Sequence, residues 1–355
     1  MAAKVNKIKV LAKSAEGMKL EEERLIEFAL GQKKEFLQAL LKEKGLAFSG
    51  TKEQIRERVA NYLKDEELTI QDLVNFLDSV EGWGDQSIYI YSAPTYLINQ
   101  WRKDNSSLKE SIRSAGWGKI INVKRTLFLP EEPELSTITL TDRLIQFTWV
   151  EKHEWFQRTR DFDDVEGDIV LRAFRRNLER RVTRFEVDLT TGICLMTIPK
   201  ISNLPTNADD GEDEKKLGKY EKIRDDFEEK LTKVLPISSF KKFSLKKTIE
   251  KLQESDEVMR RENVFETPDR SQIRLLSASS DIDTREDIRV EALRSKIPAD
   301  TPGTAGNYKW LPSKGGLGRE IGVKLYGLEN RVAINVQCTE EEVRYVLSRI
   351  RKLGQ

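Results

Sequence analysis

Hydrophobic positions recur at helical spacing through the first eighty residues and in alternation through most of the remaining chain. Leu25, Ile26 and Phe28 form one apolar face, and Phe36, Leu37, Leu40 and Leu41 a second. Ile55, Val59, Tyr62 and Leu63 form a third. Thr69, with Asp72 in the capping-box position, opens a fourth helix on Leu73, Val74, Phe76 and Leu77. This pattern predicts a helical domain over residues 1–86. From Ser87 onward the spacing predicts a strand at Ile88–Tyr91, a helix from Pro94 to about Trp101 and a short helix over Ser106–Ala115. Strands are predicted at 120–129, 137–150 and 169–174, then a hairpin, 184–189 with 193–198, around Thr190-Thr191-Gly192. A helix comes next on Leu217, Tyr220, Ile223, Phe227, Leu231 and Val234.

The last third reads on the same plan. Strands are predicted at 273–277 and 288–293, and 298–318 as a loop rich in Pro and Gly. A hairpin, 321–326 with 332–336, then leads into a helix capped by Thr339 and Glu342. Both halves end in strand, turn, strand and capped helix. The expected architecture is α+β: the helical domain, then candidate repeat modules over 87–235 and 236–355. Side by side they would form one antiparallel sheet, helices on one face and the other a curved platform.

The link between the second and third helices carries the most specific chemistry. Gly45-Leu46-Ala47-Phe48-Ser49-Gly50-Thr51-Lys52 is an extended run ending in a turn. Gly50 lets the backbone approach another group closely. Thr51 and Gln54 have capping-box spacing, and a helix start offers free N–H groups to a phosphate. Lys52 and Arg56 share one face at i, i+4. From Lys33 to Lys64 eight basic residues face four acidic ones, an excess that suits a polyanion. A solvated helical hairpin with an ordinary cap is the alternative. The leucines of the first helix, Gly45-Leu46, the Ser49-Gly50-Thr51-Lys52 turn and the Ile55, Arg58 and Leu63 positions together resemble the SAP domain, a helix–extended–helix module that binds DNA. The resemblance covers residues 33–64 and implies phosphate contact by Gly50, Thr51, Lys52, Arg56 and Lys64.

Net charge does not bear on DNA binding, because 61 basic residues nearly balance 60 acidic ones. Charge distribution bears on it more. Residues 65–85 hold seven acids and no Lys or Arg, whereas 172–184 hold six arginines and one glutamate. Within that cluster Arg172, Arg176, Arg180 and Arg184 are candidate DNA contacts, interleaved with Phe174 and Phe185. Pairing with the acidic run 161–168, or protection of a strand edge, are the competing roles. Lys241, Lys242 and Lys246, beside Phe240 and Phe243, form a second candidate phosphate-tracking stripe; a solvated helix face fits them equally. Trp117, bracketed by glycines, is a candidate base-stacking residue or a core plug.

Enzyme signals are few. His153 is the sole histidine, and the two cysteines, Cys194 and Cys338, are far apart, which excludes His- or Cys-rich metal centres. The acids of 161–168 could hold Mg²⁺ but read as a solvated link. Gly315-Gly316-Leu317-Gly318 lacks the Lys-Ser/Thr ending of a P-loop. No cofactor, metal or catalytic residue is expected. Apolar contexts for both cysteines, with no signal peptide or membrane span, predict an intracellular protein, cytoplasmic, nucleoid-associated or nuclear. The expected function is non-enzymatic, weakly sequence-specific binding of double-stranded DNA. The alternatives are a scaffold whose sheet platform or 298–318 loop binds a protein partner, and a diverged metal-dependent nuclease.

Overall fold

Four helix starts among the described residues, at Lys52, Ile70, Ile288 and Glu340, are fixed by side chains that cap them, and apolar faces then find one another. The computed structural model describes residues 22–23, 25–123, 130–158, 164–166, 169–172, 174–200, 212–267, 269, 271–279, 281–298, 301–312 and 316–355. It divides into two compact units. The first comprises Met1–Glu81, Arg125–Glu134 and Val150–Arg181, and the second Gly82–Lys124, Leu135–Trp149 and Val182–Gln355.

The first unit contains α1 (25–31), α2 (Lys34–Glu43), α3 (Lys52–Lys64) and α4 (Ile70–Val80). Thr51 with Gln54 and Thr69 with Asp72 form complete capping boxes at α3 and α4. Helix α2 ends in a Schellman motif. Gly45, at φ +71°, donates to Lys42, and Leu46 donates to Leu41 at 2.8 Å. The buried faces meet as expected: Leu25 and Phe28, Leu37 and Leu41, Ile55 and Val59, and Leu73 and Leu77 share one core.

After α4 come β1 (Gly84–Ser92), α5 (Thr95–Lys103), α6 (Ser106–Ser114), β2 (Glu134–Leu140) and β3 (Leu144–Arg158). Short β4 (Asp164–Glu166) and β5 (Ile169–Leu171) pair with each other. Then come β6 (Phe174–Asp188), β7 (Ile193–Pro199), α7 (Glu212–Thr232), β8 (Lys241–Lys242), α8 (Lys246–Leu252), β9 (Val258–Glu266) and β10 (Gln272–Leu276). The chain continues through α9 (Ile288–Arg294), β11 (Gly303–Trp310), β12 (Ile321–Tyr326), β13 (Arg331–Gln337) and α10 (Glu340–Gly354). Ten strands form one open sheet in the order β10-β9-β11-β12-β13-β1-β7-β6-β3-β2, with β8 attached to β1. The described registers within it are antiparallel, for example Ile88 opposite both Val332 and Thr197. The expected α+β class, with an N-terminal helical region and a large antiparallel sheet, is the observed one.

Strand β1 decides how the helices cover this sheet. Its isoleucines and tyrosines alternate, and side chains of both kinds are buried. Tyr89 and Tyr91 join a core with Trp101, Phe147, Phe185 and Phe227. Ile88 and Ile90 join another with Ile249, Trp310, Val323 and Val346. Strand β7 divides likewise, Cys194 and Met196 to the first core and Leu195 to the second. Helices α5, α6 and α7 therefore pack on one face, and α8 and α10 on the other. The expected placement of all helices on one face is not met at the centre of the sheet, because β1 and β7 carry apolar side chains on both faces.

Local expectations also change. Residues 288–294 are helical, not a strand, since Asp287 caps them by accepting from the Arg289 N–H at 3.1 Å. The expected loop 298–318 contains β11, whose Tyr308 and Trp310 are buried. The expected strand 137–150 is two strands, β2 and β3, separated at Thr141, whose hydroxyl accepts from the Arg143 and Leu144 N–H groups. Of the expected strand 120–129, residues 124–129 lie outside the described ones, and Ile120 closes a short 3₁₀ turn.

Candidate nucleic-acid interface

The α2–α3 link is held from both helices. Gln38 of α2 donates its amide to the Phe48 carbonyl at 2.9 Å, and Arg58 of α3 donates to the Ser49 carbonyl. Gly50 is next, at φ +131°, a conformation that L side chains rarely adopt. A Cβ there would lie 2.7 Å from Gln54 Oε1, the atom that accepts the Thr51 N–H. The Thr51 hydroxyl in turn accepts from the Gln54 N–H at 3.3 Å. These contacts fix the first turn of α3 at the surface, with Lys52 and Glu53 supplying its leading N–H groups. Phe48 stands beside this turn with 41% of its surface exposed.

Lys52 and Arg56 share a face, as their spacing requires, and both reach the end of α1. Arg56 Nε donates to the Leu30 carbonyl at 2.7 Å, and Lys52 Nζ to the Gly31 carbonyl at 3.3 Å. Cations at a helix C-terminus satisfy orphan carbonyls and oppose the negative end of the dipole. Desolvation lowers the Lys52 pKa, and the neighbouring Arg56 charge adds to that. The two side chains thus anchor α1 and hold cationic charge in one place. Lys64 is exposed at the far end of α3, about 18 Å along the axis from Lys52 at 1.5 Å per residue, too far to share a phosphate with it. Charge on α4 is managed locally: Lys44 and the Thr69 cap hold the Asp72 carboxyl down at about 2.

The arginine cluster is distributed over both units. In the first, Arg172 is exposed and Arg176 lies in β6 with its side chain outside the described set. Arg180 Nη1 lies 3.2 Å from Glu81 Oε2, both side chains being about nine-tenths buried. Arg180 is thus committed to an internal ion pair, with Glu81 of the residue 65–85 acidic stretch. In the second unit, Arg184 stacks on Trp83, its guanidinium 5.1 Å from the ring centroid, and Arg344 lies 5.2 Å from the same ring. Sequence reasoning misses Trp83 as the seat of two arginines; its setting in Gly82-Trp83-Gly84 is the only signal for it. Trp117 packs against the first core, edge-on to Phe147 at 6.4 Å, and so serves as a core plug.

Lys241, Lys242, Lys246 and Lys247 remain exposed. Lys242 lies 3.4 Å from Glu228, which also accepts the Tyr91 hydroxyl at 2.6 Å. Lys241, Lys246 and Lys247 have no ion partner among the described residues. The acidic run 161–168 lies outside the described residues or side chains, as does Gly315. Leu317 is buried in the α8–α10 core, which ties the glycine-rich segment to the fold. Among the described residues no group of acids, histidine and cysteines has the grouping of a metal site, and no helix is long and apolar enough to cross a membrane. Both cysteines are buried as free thiols. No protein family and no curated protein matches the chain.

Proposed function

We propose that this chain binds double-stranded DNA without catalysing a reaction on it, using the α2–α3 hairpin of the first unit. The observation that carries this reading is the link pinned by Gln38 and Arg58, which presents the start of α3 beside Lys52 and Arg56. A fixed helix N-terminus with adjacent cations recognises a phosphate without ordering a loop on binding. The lysines of residues 241–247 supply a second backbone-contacting surface on the other unit. Contacts of this kind position a protein on the duplex and carry little sequence information. The test is fluorescence anisotropy of labelled duplex, single-stranded DNA and RNA across a salt series. Steep loss of duplex binding with salt supports the reading; absence of binding at low salt removes it.

A partner-binding scaffold is the second reading. Ile288 of α9 is 85% exposed, with Leu293 of α9 and Leu276 of edge strand β10 also exposed. A partner captured on the full chain after nuclease treatment, and lost on Ile288→Ser with Leu293→Ser, would favour it.

A further inference from the structure

Strand β9 places a charged side chain where a core residue belongs. Arg260 is 0% exposed and stands directly opposite Tyr308 of β11. Val258, two residues earlier on β9, stands opposite Trp310, and both belong to the α8–α10 core. Among the described residues the Arg260 guanidinium finds no hydrogen-bond partner for any of its three nitrogens. The Tyr308 hydroxyl and the Trp310 indole nitrogen, on the same face, are also buried without a hydrogen-bond partner among the described residues. The Tyr308 ring folds back over Gly306, where a Cβ would come within 2.3 Å of its hydroxyl. Gly306 is the cross-strand partner of Asn263, whose buried Oδ1 likewise has no hydrogen-bond partner among the described residues. Register thus brings one guanidinium, one hydroxyl and one indole N–H to neighbouring positions of a single sheet face.

The countercharge there is shared and lies beyond hydrogen-bond distance of the Arg260 guanidinium. Among the described residues Arg260 forms an ion pair with Asp283 alone, Oδ1 lying 3.6 Å from Nε, beyond hydrogen-bond reach. Asp283 is already engaged by Arg285, whose Nε and Nη2 approach it at 3.3 and 3.1 Å. It also accepts the backbone N–H groups of Arg260 and Arg285. One buried carboxylate therefore serves two guanidiniums. Asp256, the other partner of Arg285, is exposed and well solvated. A buried charge whose ion pair brings it no hydrogen bond is costly in a folded protein.

We propose that Arg260, Tyr308 and Trp310 form an internal binding site for one monovalent anion of halide or small-carboxylate size. The unpaired groups are mostly donors, which selects an anion. One guanidinium, sharing its only carboxylate partner among the described residues with Arg285, selects a single negative charge. The aliphatic surroundings, including Ile249, Val258 and Val323, disfavour a divalent oxyanion, whose desolvation costs more. Asn263, opposite Gly306, brings an acceptor to the same face and limits the room to a small ion.

The experiment is thermal unfolding of the full chain while chloride, or separately formate, replaces gluconate at constant ionic strength. Binding to the folded state alone raises the melting temperature with anion concentration. The melting temperature is expected to rise with either anion, and Arg260→Met to abolish the dependence. Tyr308→Phe, which removes one hydroxyl and little volume, is expected to raise the half-saturating concentration about fivefold, one hydrogen bond's worth. A melting temperature that is the same in chloride, formate and gluconate overturns the proposal. So does an unchanged anion dependence in Tyr308→Phe, which decides the matter even if Arg260→Met does not fold.

Discussion

Arg344 of α10 forks onto Glu186 of β6, Nη1 to Oε1 at 2.9 Å and Nη2 to Oε2 at 3.2 Å, across 158 residues of sequence. The glutamate is buried and the arginine half-exposed, and the same guanidinium rests against Trp83. A bidentate pair of this kind fixes orientation as well as distance.

Glu186→Gln keeps the shape and removes the charge, so Arg344 loses its bidentate partner and keeps only Glu340, at 2.6 Å, among the described carboxylates. The expected cost is about 2 kcal/mol, in the range of charge-assisted hydrogen bonds. Arg344→Lys should not preserve stability, because an ammonium cannot reproduce the fork. Equilibrium urea denaturation of the three proteins checks both statements.

Thr51→Ala removes the hydroxyl that accepts the Gln54 N–H, at an expected cost of about 1 kcal/mol to the first unit. Gly50→Ala should cost more than Gly-to-Ala at an ordinary site, because it combines a positive φ with a contact on Gln54. Both should weaken duplex binding if the α3 start holds a phosphate. Unfolding curves and anisotropy on the same samples separate the two effects.

Asp72 has its carboxyl depressed to about 2 in the folded state, against ~3.9 in an unfolded chain. Its stabilising contribution is therefore complete above about pH 5 and is lost as the pH falls toward 2. The side chain is partly solvated, so screening reduces the contribution to about 1 kcal/mol. The stability gap between wild type and Asp72→Asn should be present at pH 6 and close by pH 2, as read by circular dichroism melts.

Lys241→Ala with Lys246→Ala removes two exposed cations that make no ion pair among the described residues. Thermal stability should be unchanged. If both touch phosphates, the slope of log affinity against log salt should fall by about two, near 0.9 per contact. An unchanged slope would confine DNA contact to the first unit. Lys52→Ala with Arg56→Ala should lower both stability and affinity, because these residues also hold the end of α1.

Gly306→Ala places a methyl group against Tyr308, whose ring and hydroxyl lie within 2.6 Å of that position. Displacing a buried ring in a packed core costs about 1–3 kcal/mol. The midpoint of urea unfolding should drop accordingly, while Gly318→Ala, with open space at its Cβ, should leave it unchanged.

The helical unit is legible in the sequence because its signals are local. Thr51, Thr69 and Thr339 announce their helices with a glutamine, aspartate or glutamate three residues on, and all three capping boxes form. Strand β9 is not legible, because two of its buried positions carry Arg260 and Glu262, which erases the alternation that marks a strand. Strand β11 is hidden by glycines whose role is to admit Tyr308 and Ile249, a tertiary requirement. The partners of Arg180 and Arg184 are not readable either. An ion pair with Glu81 and a stacking seat on Trp83 depend on what the fold brings near, and composition carries no such information.

The position of β1 constrains the order in which the protein can be assembled. This strand is made before the other strands of the sheet, yet it is paired on one side by β7 and on the other by β13. Arg331 Nη1 donates to Ser87 Oγ across 244 residues. During synthesis β7 can dock on β1 long before β13 has left the ribosome. For that interval Ile88 and Ile90 lack most of their core, and the amides of β1 that await β13 form an open edge. The nascent chain therefore passes through a half-built sheet with an adhesive rim, and a ribosome stalled before residue 331 would hold it there.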